Sequence, residues 1–305
     1  MSFIILLLMK NWKREKKIAF TLVELLVVIA IVGLLSTIVL AVTSGVSEQG
    51  RIARGLQFSQ HLENTLGAYL VGRWSFDEGT GTATSDASGW GNSAVLTGGP
   101  VWRCASTDEN YTPSGKGCSL EFDGYDSRVE SSSGNGFNTT VNNVTIAAWV
   151  KPDVLSYGDY QIVLQGTNNY SYFFGTVGGV IAWLIGRQNI DSWNIVNNSG
   201  ALTDGWNYIV GTYNGTLGLA KNYLNGSFVS EKSGYAEPSQ NMSSARMGLQ
   251  GVGNYAFDGL IDEVSVYAAT LTSAQIQSQY YAGLNRLLAK GLIDQKEYQE
   301  RLAKN

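Results

Sequence analysis

The most constraining feature of the chain is an apolar run at residues 20–42, FTLVELLVVIAIVGLLSTIVLAV, whose only charged residue is Glu24. As an α-helix, which rises 1.5 Å per residue, this run would be about 35 Å long and could cross a bilayer. Residues 1–19 carry five basic side chains and one acidic one, and basic flanks stay in the cytoplasm. We therefore predict a single span of a lipid bilayer, with everything after residue 42 outside the cytoplasm.

The position of Glu24 is informative, because a carboxylate inside a membrane segment is costly and usually functional. Residues 17–24 (KIAFTLVE) resemble the processing site of type IV prepilins, Gly-Phe-Thr-Leu-x-Glu. This resemblance implies that prepilin peptidase cuts after Ala19 and methylates the new amino terminus at Phe20. Glu24 lies one helical turn from Phe20 and would neutralise that amino terminus, or the one of a neighbouring subunit. A plain signal anchor is the alternative interpretation.

The resemblance to pilins divides the first 70 residues into two segments. Residues 1–19 would be the cleaved cytoplasmic leader, in which we expect Met9 to be the true start, and residues 20–70 one long helix. In pilins the first helix continues beyond the membrane and packs against a globular head, and here a helical apolar pattern continues to Leu70. The sole histidine, His61, is expected to be a solvated residue of this helix.

After the long helix the pattern changes to short alternating runs with frequent turn signals. Strands are expected at 145–150, 206–213 and 260–267, and Asn225 with Gly226 has the sequence of a tight hairpin turn. Short alternating strands joined by tight turns predict an antiparallel sandwich or barrel.

A series of ordered motifs in this region resembles the laminin-G-like (concanavalin A-like) jelly roll. The motifs follow one another at 74–79 (WSFDEG), 86–92 (DASGWGN), 120–124 (LEFDG), 148–152 (AWVKP), 204–208 (DGWNY), 223–226 (YLNG), 257–264 (FDGLIDEV) and 271–276 (LTSAQI). The resemblance implies that residues 71–281 form a jelly-roll β-sandwich whose first and last strands are adjacent.

The whole chain is thus expected to be mainly β: an antiparallel jelly-roll β-sandwich, preceded by a long N-terminal transmembrane α-helix and followed by a short helical tail at residues 282–305. Thr272 and Gln275 have the spacing of a capping box, so a helix should follow the last strand. The tail, which turns around Gly291, resembles short oligomerisation segments; a solvated or loosely docked tail is the alternative.

The chain has two cysteines, Cys104 and Cys118, close together in a Gly/Ser-rich stretch. Disulfides persist in oxidising compartments, and the predicted topology places both residues outside the cytoplasm. We therefore expect a disulfide bond between them. Two unrelated thiols are the alternative.

The jelly-roll resemblance also implies a structural calcium ion near the adjacent first and last strands. Carboxylate and amide oxygens are the ligands that calcium prefers. Carried over onto this sequence, the candidate ligands are Asp77, Asn92 and Asp262. The alternative is that these side chains cap turns by accepting backbone hydrogen bonds.

The same family includes carbohydrate-recognition domains, in which aromatic side chains stack on sugar rings. The candidates for this role lie in the variable middle of the domain: Tyr160, Tyr172, Trp183 and Trp193. One face of a sheet could present them to a glycan. Burial between the sheets is the alternative for each of them.

We expect neither catalysis nor nucleic-acid binding. Hydrolases that share this fold place three acids on one strand, whereas the adjacent Asp262 and Glu263 should point to opposite faces of theirs. One histidine leaves little room for a Ser/His/Asp triad. The net charge is −4, with +4 in residues 1–19 and −8 in the remainder, which disfavours contact with phosphates.

Three functional hypotheses follow. The first is a pilin or pseudopilin subunit with an adhesive head that binds glycans or surface proteins. The second is a purely structural subunit of a type IV pilus or a type II secretion system, and the third is a membrane-anchored lectin that never polymerises. The expected partners are prepilin peptidase, other pilin-like subunits and the bilayer. The expected location is the cytoplasmic membrane, a cell-surface filament, or both, with the C-terminal domain outside the cytoplasm.

Overall fold

The computed structural model describes most of the C-terminal 240 residues and a few earlier helical positions. The described residues are 23, 26, 27, 29, 57, 60, 61, 64–108, 111–113, 117–131, 137, 142–153, 160–166, 172–185, 194–195, 201–235, 244–248, 255–289, 291 and 293–303. The chain divides into two compact units, residues 1–51 and residues 52–305. The β-sandwich belongs to the second unit.

Four residues of the predicted membrane segment are described, and all are helical and exposed: Val23, Leu26, Val27 and Ile29. Ala19, Phe20 and Glu24 lie outside the described residues, as does the rest of the leader. Within the part of the chain that the structure describes, no helix is both long enough and apolar enough to cross a membrane.

The helix that precedes the sandwich is described at its C-terminal end. Gln57, Gln60, His61 and residues 64–67 are helical, and His61 is exposed as predicted. Leu66 faces inward and is only 2% exposed. The first strand then begins at residue 70, next to the predicted end of the long helix.

The sandwich consists of two eight-stranded sheets in which every described strand pair is antiparallel. The first sheet has the order β14 (Ser227–Lys232), β13 (Leu219–Leu224), β12 (Asn207–Asn214), β7 (Asn143–Pro152), β16 (Asp258–Tyr267), β5 (Cys118–Asp123) and β4 (Val101–Cys104). Its eighth strand, β1 (Leu70–Trp74), stands outside this order and pairs with β16. The second sheet has the order β11 (Asn194–Ile195), β10 (Val180–Ile185), β9 (Tyr172–Val177), β8 (Tyr160–Gly166), β15 (Ala245–Met247), β6 (Arg128–Ser131), β3 (Ala94–Thr97) and β2 (Ala83–Thr84).

This architecture confirms that the chain is mainly β and is consistent with a jelly roll. The first strand, β1, pairs with the last, β16, as the resemblance implied. The predicted hairpin turn is also confirmed: it joins β13 to β14, and both Asn225 and Gly226 have the positive φ angles, 51° and 88°, that a type I′ turn requires.

The main core lies between the two sheets and is built from alternate residues of the strands. In β7, Val144, Ile146 and Val150 join this core, whereas Ala147 and Trp149 point to the opposite face and join a second apolar cluster. This alternation is the two-residue period of a strand. Because β7 is buried on both faces, its sequence is almost continuously apolar.

The second apolar cluster forms where a C-terminal helix, α1 (Ser273–Ala289), covers the outer face of the first sheet. Ile276, Tyr280, Leu284 and Leu287 follow one another at helical spacing and are all at most 4% exposed. The predicted boundary at 281/282 therefore falls inside this helix, which fastens the start of the tail to the sandwich.

The capping box at the start of α1 is confirmed. The Thr272 backbone amide donates to Gln275 Oε1 at 2.8 Å, and the Gln275 amide donates to Thr272 Oγ1 at 3.3 Å. After a break at Gly291, whose φ is 69°, a second helix, α2 (Gln295–Ala303), packs back on α1 through a hydrogen bond from Tyr298 Oη to Asn285 Oδ1. The described part of the tail is thus docked on α1 through Tyr298, while the other residues of α2 stay partly or fully exposed.

Candidate functional site

The last strand, β16, carries an irregularity at its centre. Along one edge of β16, residues 258–261 pair with β5 and residues 264–267 pair with β1. The partner strand on this edge therefore changes at Asp262 and Glu263. On the opposite edge, the pairing with β7 shifts register between Asp262 and Ser265. Glu263 has a φ of 49°, which is uncommon for a residue other than glycine. Such a bulge re-aims the side chains at the point where it occurs.

The bulge overturns one expectation from the sequence. In a regular strand the adjacent Asp262 and Glu263 would point to opposite faces. In the structure both line the same cavity. The prediction of opposite faces was wrong, because the left-handed backbone at Glu263 interrupts the two-residue alternation.

The cavity, called the bulge cavity below, has a volume of about 330 Å³ and lies between the outer face of the first sheet and α1. Its apolar wall includes Trp149, Tyr208 and Tyr267, and its polar groups come from four different parts of the chain: Arg73 on β1, Asp77 after β1, Asp262 with Glu263 on β16, and Gln279 with Arg286 on α1. Polar groups that converge in an apolar-walled concavity are typical of a small-molecule site.

Asp262 is the most buried acid of the bulge cavity, with 3% of its surface exposed. Its Oδ1 accepts a hydrogen bond from the Glu263 amide at 2.8 Å, and no residue that the structure describes donates to its Oδ2. Burial raises the pKa of the Asp262 carboxyl well above its usual value, and the nearby charges of Glu263 and Asp77 raise it further against the opposing effect of Arg73. The side chain is therefore biased toward its protonated form.

The second acid of the bulge is paired with a cation. The Arg73 Nη2 atom lies 3.1 Å from Glu263 Oε2, and both side chains are about one-third exposed. The Arg73 backbone is held in turn by Asp86, whose Oδ1 accepts the Arg73 amide at 3.0 Å. This ion pair joins β1 to β16 beside the cavity and leaves Glu263 in a more polar setting than Asp262.

A chain of hydrogen bonds positions α1 over the cavity. Tyr208 Oη donates to Gln279 Oε1 at 3.0 Å, and Gln279 Nε2 donates to Tyr267 Oη at 2.8 Å. Burial raises the pKa of both tyrosines, so both phenols remain neutral at physiological pH. Gln279 is thereby held between two strands of the sheet, which fixes its orientation in the cavity wall.

The raised pKa of Asp262 predicts a pH-dependent stability. An unfolded aspartate has a pKa of about 3.9. Above that pH the folded protein retains more protons than the unfolded chain, so the free energy of unfolding falls as pH rises. The Asp262→Asn variant cannot ionise, and its stability relative to wild type should increase as the pH rises above about 4. Urea unfolding across this range measures the difference, with the exposed Asp204→Asn as control. A difference that does not change with pH would contradict the prediction.

The three predicted calcium ligands do not form one set. Asp77 and Asp262 line the bulge cavity, but Asn92 is buried elsewhere: its Nδ2 donates to the Val71 carbonyl at 2.6 Å, and its amide donates to Asp86 Oδ2 at 2.9 Å. Asn92 therefore ties the turn after β1 to that strand by donating a hydrogen bond, whereas the alternative interpretation expected its side chain to accept one from the backbone. Among the described residues there is no group of three or more acids, histidines or cysteines placed to hold a metal ion. Calcium binding by this protein stays a prediction.

The predicted aromatic platform needs a correction at one position. Tyr172 is fully buried in the main core, where its ring centroid lies 6.1 Å from that of Tyr213, so it cannot stack on a sugar. Tyr160 and Trp183 lie on β8 and β10, but their side chains are outside the described part of the structure, and Trp193 is outside it entirely. The aromatic residues that do line the bulge cavity, Trp149, Tyr208 and Tyr267, belong to the outer face of the first sheet.

The predicted disulfide is confirmed. Cys104 and Cys118 are bonded to each other and occupy directly opposite positions on β4 and β5. The bond closes the loop that contributes Pro113 and Gly117 to the wall of the bulge cavity. Asp77 is tied to the same loop, since its Oδ1 accepts the Cys118 amide at 3.0 Å.

Several residues of the bulge cavity were not predicted from the sequence. Glu263 follows Asp262 directly in the motif at residues 257–264, so its closeness to a site that contains Asp262 could have been suspected. Arg73, Gln279 and Arg286 are polar residues in a strand and a helix with no spacing that links them. Only the antiparallel return of β16 to β1 and the docking of α1 bring them together.

Comparison with known proteins agrees with this description. A family model for the concanavalin A-like lectin/glucanases superfamily matches residues 123–277, just over half of the chain. A model for the prokaryotic N-terminal methylation motif matches residues 16–40. No curated protein sequence matches the chain.

Solved structures share the fold at low sequence identity. Domain 4 of AbnA, an extracellular arabinanase of family GH43 from Geobacillus stearothermophilus, was solved with arabinotriose; it is 19% identical over 70% of this chain and 98% of its own, with a TM-score of 0.54. The binding domain of Paraclostridial Mosquitocidal Protein 1 is 15% identical over 72% of this chain, with a TM-score of 0.58. The binding domain of botulinum neurotoxin DC, solved with SialylT, is 12% identical over 72% of this chain, with a TM-score of 0.54.

The chain spans 53% and 52% of the lengths of these two toxin domains. At such identities the similarity concerns the fold alone. The fold, the confirmed disulfide and the two family matches together establish what kind of protein this is. The chain belongs to the concanavalin A-like lectin/glucanases superfamily and carries a type IV pilin-like methylation motif ahead of its β-sandwich.

Proposed function

We propose that this protein is a membrane-anchored, pilin-like subunit that displays its β-sandwich outside the cytoplasm and binds carbohydrates or proteins there, without catalysing a reaction. The observation that carries this proposal is the succession of a methylation motif at residues 16–40 and a lectin-like domain at residues 123–277 in one chain. The methylation motif directs the chain to processing and assembly as a pilin. The second is a fold whose members include carbohydrate-binding domains.

The disulfide and the surface charge support an extracytoplasmic position for the sandwich. A bond between Cys104 and Cys118 persists only where the compartment is oxidising. The negative charge of the chain after residue 19 favours solubility and does not favour contact with anionic lipid or nucleic acid. A purely structural role in a type IV pilus or a type II secretion system is the second candidate, because the methylation motif alone would suffice for it.

The maturation step predicts a defined amino terminus. In cells that contain prepilin peptidase, mass spectrometry of the purified protein should find a chain that begins with N-methylated Phe20. The Glu24→Leu variant should be incorporated into filaments far less than wild type, because the carboxylate that balances the amino-terminal charge is lost. Glu48→Gln, which changes an acid beyond the predicted membrane segment, is the matched control.

Two results would argue against this route. A mature protein that retains residues 1–19 would exclude processing as a prepilin and would favour a simple membrane anchor. Equal incorporation of the wild type and the Glu24→Leu variant would contradict the assembly role of this carboxylate. Binding assays with glycans and surface proteins then separate the adhesive subunit from the purely structural one.

A further inference from the structure

We propose that the two C-terminal helices, α1 and α2, form a strap that holds the end of the N-terminal helix against the β-sandwich. The described residues of that helix next to the sandwich, called the stem end below, are Gln57, Gln60, His61 and residues 64–67. This inference goes beyond the proposed function, since it gives the tail a role that does not depend on what the sandwich binds. The strap would pass a displacement of the sandwich on to the stem end through packed side chains.

The stem end and α1 join the first sheet at the same place. β1 and β16 are antiparallel, and Leu70 at the start of β1 lies opposite Tyr267 at the end of β16. The stem end leads into Leu70, and α1 begins at Ser273, shortly after Tyr267. The Ala268 amide donates to the Tyr69 carbonyl at 2.8 Å, which ties the two connections to each other. The pairing of the first strand with the last therefore brings the stem end and α1 together.

The stem end is anchored through one side chain. Leu66 is 2% exposed, whereas the other described residues of the stem end are all exposed. After Gly67 the chain turns at Ala68 and Tyr69 and enters β1. Burial of an apolar side chain is favourable in proportion to the area that it removes from water. The position of the stem end on the sandwich therefore depends on what buries Leu66.

The strap supplies apolar surface around Leu66. Leu66 belongs to the same apolar cluster as Leu284 and Leu287 of α1, which are 0% and 4% exposed. These two leucines are three residues apart and lie on one face of the helix. Leu66 and Leu287 also line the bulge cavity together. Removal of either leucine of α1 would leave Leu66 with less apolar surface to pack on.

Polar and aromatic contacts fix α1 to the sandwich. Gln279 is held between the phenols of Tyr208 and Tyr267. The Tyr280 ring stacks on Tyr208, with ring centroids 6.2 Å apart. Hydrogen bonds and stacked rings orient α1 as well as bury it. A side chain that packs on α1 is therefore held at a defined place on the first sheet.

α2 completes the strap. Ile293, just before α2, and Tyr298 within it are 6% and 9% exposed and belong to the same apolar cluster. Tyr298 Oη donates to Asn285 Oδ1 at 2.8 Å. Asn285 lies in the turn of α1 that carries Leu284 and Leu287, so α2 braces α1 at the level where Leu66 packs.

Electron paramagnetic resonance of the full-length protein in detergent micelles tests the strap. Nitroxides on His61→Cys and Val95→Cys report the distance between the stem end and the second sheet; both sites are exposed, and the two native cysteines are bonded to each other. We expect one narrow distance distribution. Leu66→Ala and Leu287→Ala should each widen it about 2-fold or more, because each removes packing between the stem end and α1. Leu217→Ala, which shortens a leucine that is 66% exposed, is the matched control and should leave the width unchanged.

A narrow distribution in either Leu66→Ala or Leu287→Ala, or a wide one in the protein without these substitutions, would overturn the inference. Circular dichroism and tryptophan fluorescence check that each variant keeps its β-sandwich, so that widening reports the stem end and not global unfolding. If Leu287→Ala does not fold, the milder Leu287→Val takes its place under the same criterion. None of these measurements involves a ligand, so the proposed function stands or fails separately.

Discussion

Replacement of Trp74 by alanine is expected to destabilise the β-sandwich by about 3–5 kcal/mol, the range for loss of a large aromatic side chain from a core. Trp74 is completely buried, and its ring stacks on Phe137 with a centroid distance of 6.3 Å. Its Nε1 donates to the Asn92 carbonyl at 2.9 Å, so the variant also leaves a buried acceptor without its partner. The neighbouring Gly72 has no room for a side chain, because a Cβ there would lie 2.6 Å from the indole.

Urea unfolding of the full-length protein, followed by tryptophan fluorescence, measures this loss. The matched control is Trp90→Ala, since Trp90 is 44% exposed and its removal should change the stability by less than about 0.5 kcal/mol. Similar unfolding midpoints for Trp74→Ala and Trp90→Ala would show that Trp74 does not anchor the core.

Removal of the disulfide is expected to cost about 3 kcal/mol, the loop-closure value for a loop of about 15 residues. Cys104 and Cys118 are 14 positions apart and link β4 to β5 at the edge of the first sheet. The double variant Cys104→Ser/Cys118→Ser should therefore unfold at lower urea concentration than the oxidised wild type. The bond restricts the unfolded chain more than it adds contacts to the folded one.

The reductant dependence provides the control for this prediction. In the presence of dithiothreitol the wild type should lose the same stability, and the difference between wild type and the double variant should almost disappear. A double variant that is as stable as the oxidised wild type would show that β4 is held to β5 by its strand pairing alone.

Local patterns predicted the architecture well where each residue's role depends on its neighbours in sequence. The turn at Asn225 and Gly226 requires two positive φ angles, and few other residue pairs tolerate them as readily. The capping box of Thr272 and Gln275 likewise involves residues three apart. The disulfide followed from the number of cysteines and the predicted compartment, with no knowledge of the strands.

The candidate site was predicted only in fragments. Asp77 and Asp262 were selected as oxygen ligands, and both line the bulge cavity, but Asn92 does not and Tyr172 is buried in the core. Strand periodicity correctly predicts which residues of β7 face the main core, yet the same rule failed at Glu263. A bulge inserts one residue into the alternation, and no local signal in the strand marks it.

The sequence by itself determined the N-terminal methylation motif, the mainly β fold with its tight turns, and the pairing of the two cysteines, because each of these depends on residue types and short spacings. Only the tertiary structure decided which polar residues meet in one cavity. Arg73 and Glu263 are 190 positions apart and form an ion pair because the last strand returns beside the first. Gln279 reaches the same place because α1 buries its apolar stripe on the outer face of the sheet. Contacts of this kind arise from chain topology, which the local pattern of side chains does not specify.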